Sequence, residues 1–484
     1  MIPLDFLATP SHENVRALCW IWLVIFILLL WQQWLSKRTF GLPIVYGFGL
    51  SMIHLIGGCA YGFDYYAPSS EYLLQGGYSI KVTHAGFWMS TLGFGCFVLG
   101  VMIGPLFFNK DPEPLKVQLD PQVTTKLPGT LFILSLAFFF VIAPITRRIP
   151  SVSALGAGGI HFSVIAVFLF CYLAYQRRDF LNFKKGMMAT AGFPLLTVVT
   201  MGFMSYGIAA AVAIWMLVFR FFRPRWISAA VLMVVLTCGL TAFVNWMFGR
   251  DYIRKSYVSD RFAKVVQVVE NFEFFDPYKQ THLEAIDSRL NQNDFVGKAM
   301  FWTGVRRPFA DGQTIWVGLT AWIPRILWPG KPVLGGSGNM VTNYTGQELS
   351  ETTSFGVGQV LEFYVNFGTT SVVFGFIIFG VGLAFIDQRA AFYLSQGDYW
   401  NLSRWMLPAL GMIQPNGSLG EVVSALAANG VLVWLMHQFI FGKYYKPGIW
   451  THPTSKSVNR LRGSKYPRII GSIPGNQVTR PPNK

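Results

Sequence analysis

Of 484 residues, 52% are hydrophobic and only 13% charged, against about 25% charged in a soluble globular chain, which excludes an ordinary water-soluble enzyme. The net charge of +16 does not point to nucleic acid, because nine Lys and Arg fall in the acid-free stretch 442–484 and leave +7 for the rest. A basic tail beside a last apolar segment is the mark of a cytoplasmic end facing anionic lipid. The five cysteines, Cys19, Cys59, Cys96, Cys171 and Cys238, lie in apolar stretches at spacings that suit neither a metal nor a disulfide framework.

A membrane span needs about 20 mainly apolar residues. The first run, 17–35, follows Asp5, His12 and Glu13 instead of a basic segment, so it is read as a retained span and not a signal peptide. Further spans are predicted at 42–62, 85–108, 129–145 and 160–176. The apolar stretch 187–222 is too long for one span, and Pro194 with Met204-Ser205-Tyr206-Gly207 predicts a hairpin of two short ones. Then come 227–248 and 370–391. A last pair, 405–413 and 420–441, is broken by Gln414-Pro415-Asn416-Gly417. The expectation is an all-α polytopic membrane protein of about 11 spans. Residues 1–248 hold about eight of them and 369–441 about three, and 442–484 form a basic cytoplasmic tail, expected to be disordered. Gly100-Val-Met-Ile-Gly104 is a small-residue pattern read as close helix packing.

Basic residues orient the spans. Lys37-Arg38, Arg177-Arg178, Lys184-Lys185, Arg220, Arg223, Arg225 and the tail all fall on one side of the alternation, with Arg147-Arg148 opposed. The N-terminus is then outside, the C-terminus cytoplasmic, and the long segment 249–368 extracytoplasmic.

That segment is not a linker. Between 249 and 351 it carries 12 Lys/Arg and 11 Asp/Glu among many aromatics, and connections this long are usually functional. Residues 255–270 alternate charge and apolar groups at helical spacing, with Val258, Phe262, Val265, Val266 and Val269 on one side. Residues 282–302 predict a second amphipathic helix on Leu283, Ile286, Leu290 and Phe295. The apolar run 314–323 is too short to span and is read as re-entrant or interfacial. It leads into Arg325 and Lys331, set among Trp322, Trp328, Pro324, Pro329 and Pro332. Proline fixes the backbone and Trp favours the interface, so two cations are placed at the depth where lipid phosphates lie. Arg289 on the second helix, with Arg250, Arg254, Arg306 and Arg307, adds further cations. The planar guanidinium suits a diphosphate, although a helical Arg is as often a surface ion pair. After Gly335-Gly336-Ser337-Gly338 comes Glu362, in mostly apolar sequence at the mouth of the next span. Burial would raise its pKa, as a general base requires; the alternative is an interfacial Glu paired with Arg325 or Lys331. No phosphate-loop lysine motif and no paired His/Cys spacing is present in the sequence, so neither an ATP-driven pump nor a metal centre is implied.

The block Ile323-Pro324-Arg325-Ile326-Leu327-Trp328-Pro329-Gly330-Lys331-Pro332 resembles a block of the bacterial O-antigen and oligosaccharide repeat-unit polymerases (Wzy-type membrane glycosyltransferases). Thr353-Ser354, Gly358, Glu362 and Asn366-Phe367-Gly368, after it, are also similar to that family. The resemblance covers the whole chain in topology and mainly 287–368 in residues. It implies an inner-membrane glycosyltransferase joining repeat units carried on undecaprenyl pyrophosphate, for O-antigen, capsule or exopolysaccharide, without metal or other cofactor. A flippase and a chain-length regulator are partners it implies beside membrane lipid. By match, Arg325 and Arg289 bind the pyrophosphate; Lys331 joins them, and Glu362 serves as base or orients the acceptor. Trp322, Trp328 and Tyr364 are candidate sugar contacts, with interface anchoring the simpler role for both Trp. One departure is that relatives carry an Arg after Ser in the short hairpin, where this chain has Ser205-Tyr206. An O-antigen ligase, a transporter of polysaccharide or lipid-linked sugar, and a structural membrane partner are the competing expectations.

Overall fold

The computed structural model describes residues 9–36, 39–63, 65, 79–108, 121–142, 145, 153–201, 205–219, 225–270, 272–325, 327–332, 337–347 and 356–441. Among them the chain is all-helical, with no strand. Six helical segments are long and apolar enough to cross a membrane. They are α1 (His12–Leu35), α2 (Leu42–Gly62), α3 (Ile80–Phe107), the part Gly159–Gln176 of the helix Ser153–Gln176, the helix Thr369–Ser395, and Leu419–Phe441. Two further apolar segments, Lys126–Ile142 and Tyr206–Val218, are shorter. In chain order the remaining helices are α4 (Pro121–Ala137, continued by a π turn Phe138–Ile142), α5 (Ser153–Gln176), α6 (Phe180–Thr190), α7 (Gly192–Met201), α8 (Ser205–Phe219) and α9 (Arg225–Arg254). They are followed by α10 (Val258–Glu270), α11 (Gln280–Leu290), α12 (Asn293–Trp302), α13 (Gln313–Leu319), α14 (Ser337–Thr345) and α15 (Gly358–Phe367). The last are α16 (Thr369–Ser395), α17 (Tyr399–Met412) and α18 (Leu419–Met436, continued by a π turn His437–Phe441).

The centre of the bundle is α1, α2, α3 and α16. Helices α3 and α16 run parallel, Gly93 meeting Val372 and Phe376, Gly100 meeting Ile377 and Gly380, and Gly104 meeting Ala384. The Gly100–Gly104 pair therefore lies on a close helix contact, where a side chain at Gly100 would strike the Ile377 carbonyl. Aromatic rings fill the rest. Trp22 stacks on Phe94 at 4.6 Å, and Tyr46 lies between Phe97 and Phe379 at 4.7 and 4.9 Å.

One buried carboxylate holds this centre together. Asp387, on α16, accepts hydrogen bonds from the backbone N–H groups of Phe40, Gly41 and Leu42 at 3.0, 2.7 and 2.8 Å. These are orphan donors at the start of α2, where the helix dipole favours negative charge. Asp387→Ala leaves three buried donors unpaired at about 1–3 kcal/mol each, so a loss of about 3 kcal/mol or more is expected. A lowered melting temperature of the detergent-solubilised protein, smaller for Asp387→Asn, checks this; an unchanged one would contradict it.

The sequence-predicted helix 282–302 is two helices, α11 and α12. The break at Asn291-Gln292 is made by tertiary contacts: Gln292 N–H donates to Ile53 O at 2.9 Å and Asn293 Nδ2 to His54 O at 2.7 Å. Helix α12 then crosses α3 backbone to backbone at Gly86 and Gly297, where a Cβ on either would collide with the other helix. The predicted helix 255–270 is α10. Its Phe262 and Val266 remain exposed, while Val268 packs on Gly249 of α9. The stretch 187–222 breaks before Pro194, at Ala191, leaving Pro194 in the first turn of α7 where its missing N–H costs nothing. The clusters Lys37-Arg38, Arg147-Arg148, Arg220 and Arg223, and the basic tail with its expected disorder, lie outside the described residues.

The break expected at 414–417 is present, but its depth is not what two full spans would give. Helix α17 has 14 residues, about 21 Å of helix against a hydrocarbon core of about 30 Å. The turn joining it to α18 folds inward, and Pro415 packs on Gly49, in the first half of α2. Gly358 N–H donates to Asn416 O at 3.0 Å, and Gln359 Nε2 donates to the carbonyls of Gln414 and Gly417 at 2.8 and 2.6 Å. The start of α15 and the start of α18 are thus locked together inside the bundle.

Candidate functional site

Glu362 sits at this junction. It lies one turn into α15, is 1% exposed, and its Oε2 accepts a hydrogen bond from Leu419 N–H, the first residue of α18. Burial pushes its carboxyl up to about 7; the Leu419 N–H opposes the shift, and the nearby Glu421 adds to it. Glu421 closes a capping box on the same helix end, Ser418 N–H donating to its carboxylate at 3.0 Å and Glu421 N–H to Ser418 Oγ at 3.2 Å. Two carboxylates therefore share one helix N-terminus, one buried and one exposed. Tyr206, exposed at the start of α8, lies within electrostatic reach of Glu421.

The cationic segment covers this junction. Helix α13 lies on the start of α18, with Gly318 and Ala321 against Gly420. It is tied to α15 by Asn366 Nδ2, which donates to Thr314 Oγ1 at 2.6 Å and to Glu362 O at 2.6 Å. From there the chain turns through Arg325 and returns to Lys331, whose Nζ donates to the carbonyls of Ala321 and Ile323 at 2.6 and 3.0 Å. Lys331 spends two of its three donors on closing this loop. Partial burial, and then the neighbouring Arg325, draw it below the ordinary lysine range. Arg325 is exposed at the turn of the loop, rimmed by Trp322 at 56% and Leu327 at 76% exposure, with Trp328 half-buried.

The structure therefore brings Arg325 near Lys331, in the loop that follows the helix packed on the start of α18. Arg289 is half-buried in the last turn of α11, which packs on α2 and α9. Tyr364 is buried, its ring edge-on to Phe309 at 6.2 Å, the packing of a core aromatic more than of a sugar platform. Neither Glu421 nor Tyr206 stood out as a site residue in sequence. Ser418-x-x-Glu421 before an apolar run is the capping-box signature, and it marks this helix start; the sequence marks Tyr206 only as the place where the resembled family carries an Arg.

The family described as "Domain of unknown function (DUF8712)" matches residues 59–399. The chain belongs to this family. No curated protein and no solved structure matches it. The DUF8712 match contains Arg289, Arg325, Lys331 and Glu362 and ends before Ser418 and Glu421, so the carboxylate site is completed by helix α18 from beyond the matched stretch.

Proposed function

We propose that this DUF8712 chain is a bacterial plasma-membrane glycosyltransferase that polymerises oligosaccharide repeat units carried on undecaprenyl pyrophosphate. In this reading it has about 11 spans, with residues 249–368 on the extracytoplasmic face, the N-terminus outside and the C-terminus in the cytoplasm. Its product is O-antigen, capsule or exopolysaccharide, with a flippase and a chain-length regulator as partners. The observation that carries the reading is the buried Glu362 at the start of α18, on which helix α13 packs just before the loop that brings Arg325 near Lys331.

The chemistry follows from the charges. The donor already has a good leaving group, so the protein must hold the diphosphate charge as it develops and remove a proton from the acceptor hydroxyl. Arg325, with its planar fork, meets the diphosphate, and Lys331 positions it and supplies its remaining donor. Glu362 accepts the proton. Glu362 is 1% exposed, so admitting the acceptor requires the elements packed around it to move aside. Trp322 and Trp328 anchor the loop at the bilayer boundary.

A polymer-size gel of a strain lacking the chain tests this. The expected result is loss of the long-chain ladder, with single repeat units still attached to their final acceptor. Lipid-linked long chains that are made but not transferred would assign a ligase, and repeat units trapped on the cytoplasmic face would assign a transporter; either result ends the polymerase reading.

A further inference from the structure

A second basic cluster lies where the start of α3 meets the end of α12 and the turn after it. Lys81 stands over the Phe301 ring at 5.2 Å, Arg306 over Trp302 at 5.1 Å, and Arg307 over Tyr344 at 4.9 Å. None of these three cations pairs with a carboxylate among the described residues. Beside them opens a cleft of about 220 Å³ lined by Val82, Lys298, Phe301, Trp302, Arg306 and Thr345. Lys298, in its lining, donates through Nζ to Asp294 Oδ2 at 2.6 Å and to Gln347 Oε1 at 3.0 Å.

The cleft is held in shape. Thr303 Oγ1 donates to Tyr344 O at 3.0 Å, and Gly304 N–H to Arg307 O at 2.7 Å, which fixes the turn carrying both arginines. Gly346, at φ +70°, brings its backbone against Trp302; a Cβ there would lie 2.6 Å from the ring. Cation–π contacts at exposed sites contribute about 0.5–1 kcal/mol each and so help to hold the turn. They do not account for Arg306 lining a concavity with Lys81 and Arg307 next in sequence to its lining residues Val82 and Arg306, where the field concentrates anions.

The shape and chemistry select the ligand. Phe301 and Trp302 give the cleft apolar ring surface that suits the C–H side of a sugar, and the fork of Arg306, also in its lining, takes a carboxylate with two parallel hydrogen bonds. The volume is below the ~300–1,000 Å³ of drug-sized sites, so it suits one sugar residue. We propose that this cleft binds a carboxylate-bearing sugar residue, so that the glycan handled by the chain is acidic. Calling that glycan the substrate rests on the polymerase reading above; its binding does not.

The test is a titration of the purified full chain in phosphatidylcholine nanodiscs with trigalacturonate and with its methyl ester, followed by thermophoresis. Trigalacturonate should bind and the ester should bind at least about tenfold more weakly, since a charge-assisted hydrogen bond is lost. Arg306→Ala should weaken trigalacturonate binding about 10- to 100-fold, with Arg306→Lys between. Melting temperatures identify any variant that fails to fold, in which case Lys81→Gln takes its place. Equal binding of acid and ester, or no effect of the variants, overturns the proposal. So does loss of phosphatidylglycerol capture in mixed nanodiscs with sugar binding intact, which would make the cleft a headgroup site. Arg325→Ala protein should still bind trigalacturonate; if it does and also makes normal polymer, the polymerase site falls and this cleft stands.

Discussion

Replacing Glu362 by Gln is expected to slow polymerisation by about 10²–10⁴-fold, the usual contribution of a positioned general base. At pH 8 the same change is expected to make the protein more stable. A carboxyl raised from 4.5 to about 7 represents roughly 3 kcal/mol of preference for the neutral form in the folded state. Between those two values the folded chain binds more protons than the unfolded one, so this group's contribution to stability falls as pH rises through that window. Gln keeps an oxygen for the Leu419 N–H and removes the buried charge; its new N–H₂ needs an acceptor, so a net gain of about 1–2 kcal/mol is expected at pH 8 and none at pH 4. Turnover has the opposite sign, rising with pH through about 7 as the base ionises. Thermal melts at the two pH values and a pH–rate profile decide the matter. A Gln variant that is less stable at pH 8, with turnover falling only in proportion to folded protein, would make Glu362 a packing residue.

Much of the fold was legible because the bilayer imposes a length and a polarity on every span. The apolar runs at 17–35, 42–62, 85–108, 160–176, 370–391 and 420–441 correspond to the six long apolar segments. The Gly100–Gly104 pattern marked a real helix contact, and Gln414–Gly417 a real break. What could not be read is set by contacts distant in sequence. Nothing local in 282–302 ends a helix at Leu290; Ile53 and His54, over two hundred residues away, take the hydrogen bonds that stop it. Asp387 was hidden in an apolar run because its partners are three N–H groups at the start of α2.

The candidate site was legible in part for the same reason. Prolines and Trp around Arg325 and Lys331 define a local loop, and Lys331 closes it on carbonyls eight and ten residues back in the chain. Glu362 could be picked out by its apolar setting. That it shares a helix end with Glu421 depends on how α15 meets α18, which periodicity does not report. Arg289 illustrates the converse. Its residue type and the family resemblance both suit a diphosphate, while the helix that carries it, α11, packs on α2 and α9, which its own sequence does not report.

Arg325→Ala is expected to remove long polymer altogether, a loss of about 10²–10³-fold or more from one electrostatic donor. The magnitude of its effect on folding points the other way. Arg325 is exposed, and an exposed ion pair contributes only about 0–1 kcal/mol, so membrane levels and melting temperature should stay near wild type. Arg325→Lys keeps the charge and loses the planar fork, and a partial defect is expected. Lys331→Ala should behave differently, since it opens the loop: Ala321 and Ile323 lose their shared donor and Arg325 loses its seat. The role of Arg289 is decided by combination. If Arg289 and Arg325 grip one diphosphate, the double Ala variant should lose no more activity than the worse single one, because residues acting as a unit are not additive. If Arg289 only anchors α11, Arg289→Ala should lower the melting temperature and its effects should add to those of Arg325→Ala. Normal polymer length in Arg325→Ala protein at wild-type levels would remove the diphosphate clamp, and with it the chemistry proposed for this face of the bundle.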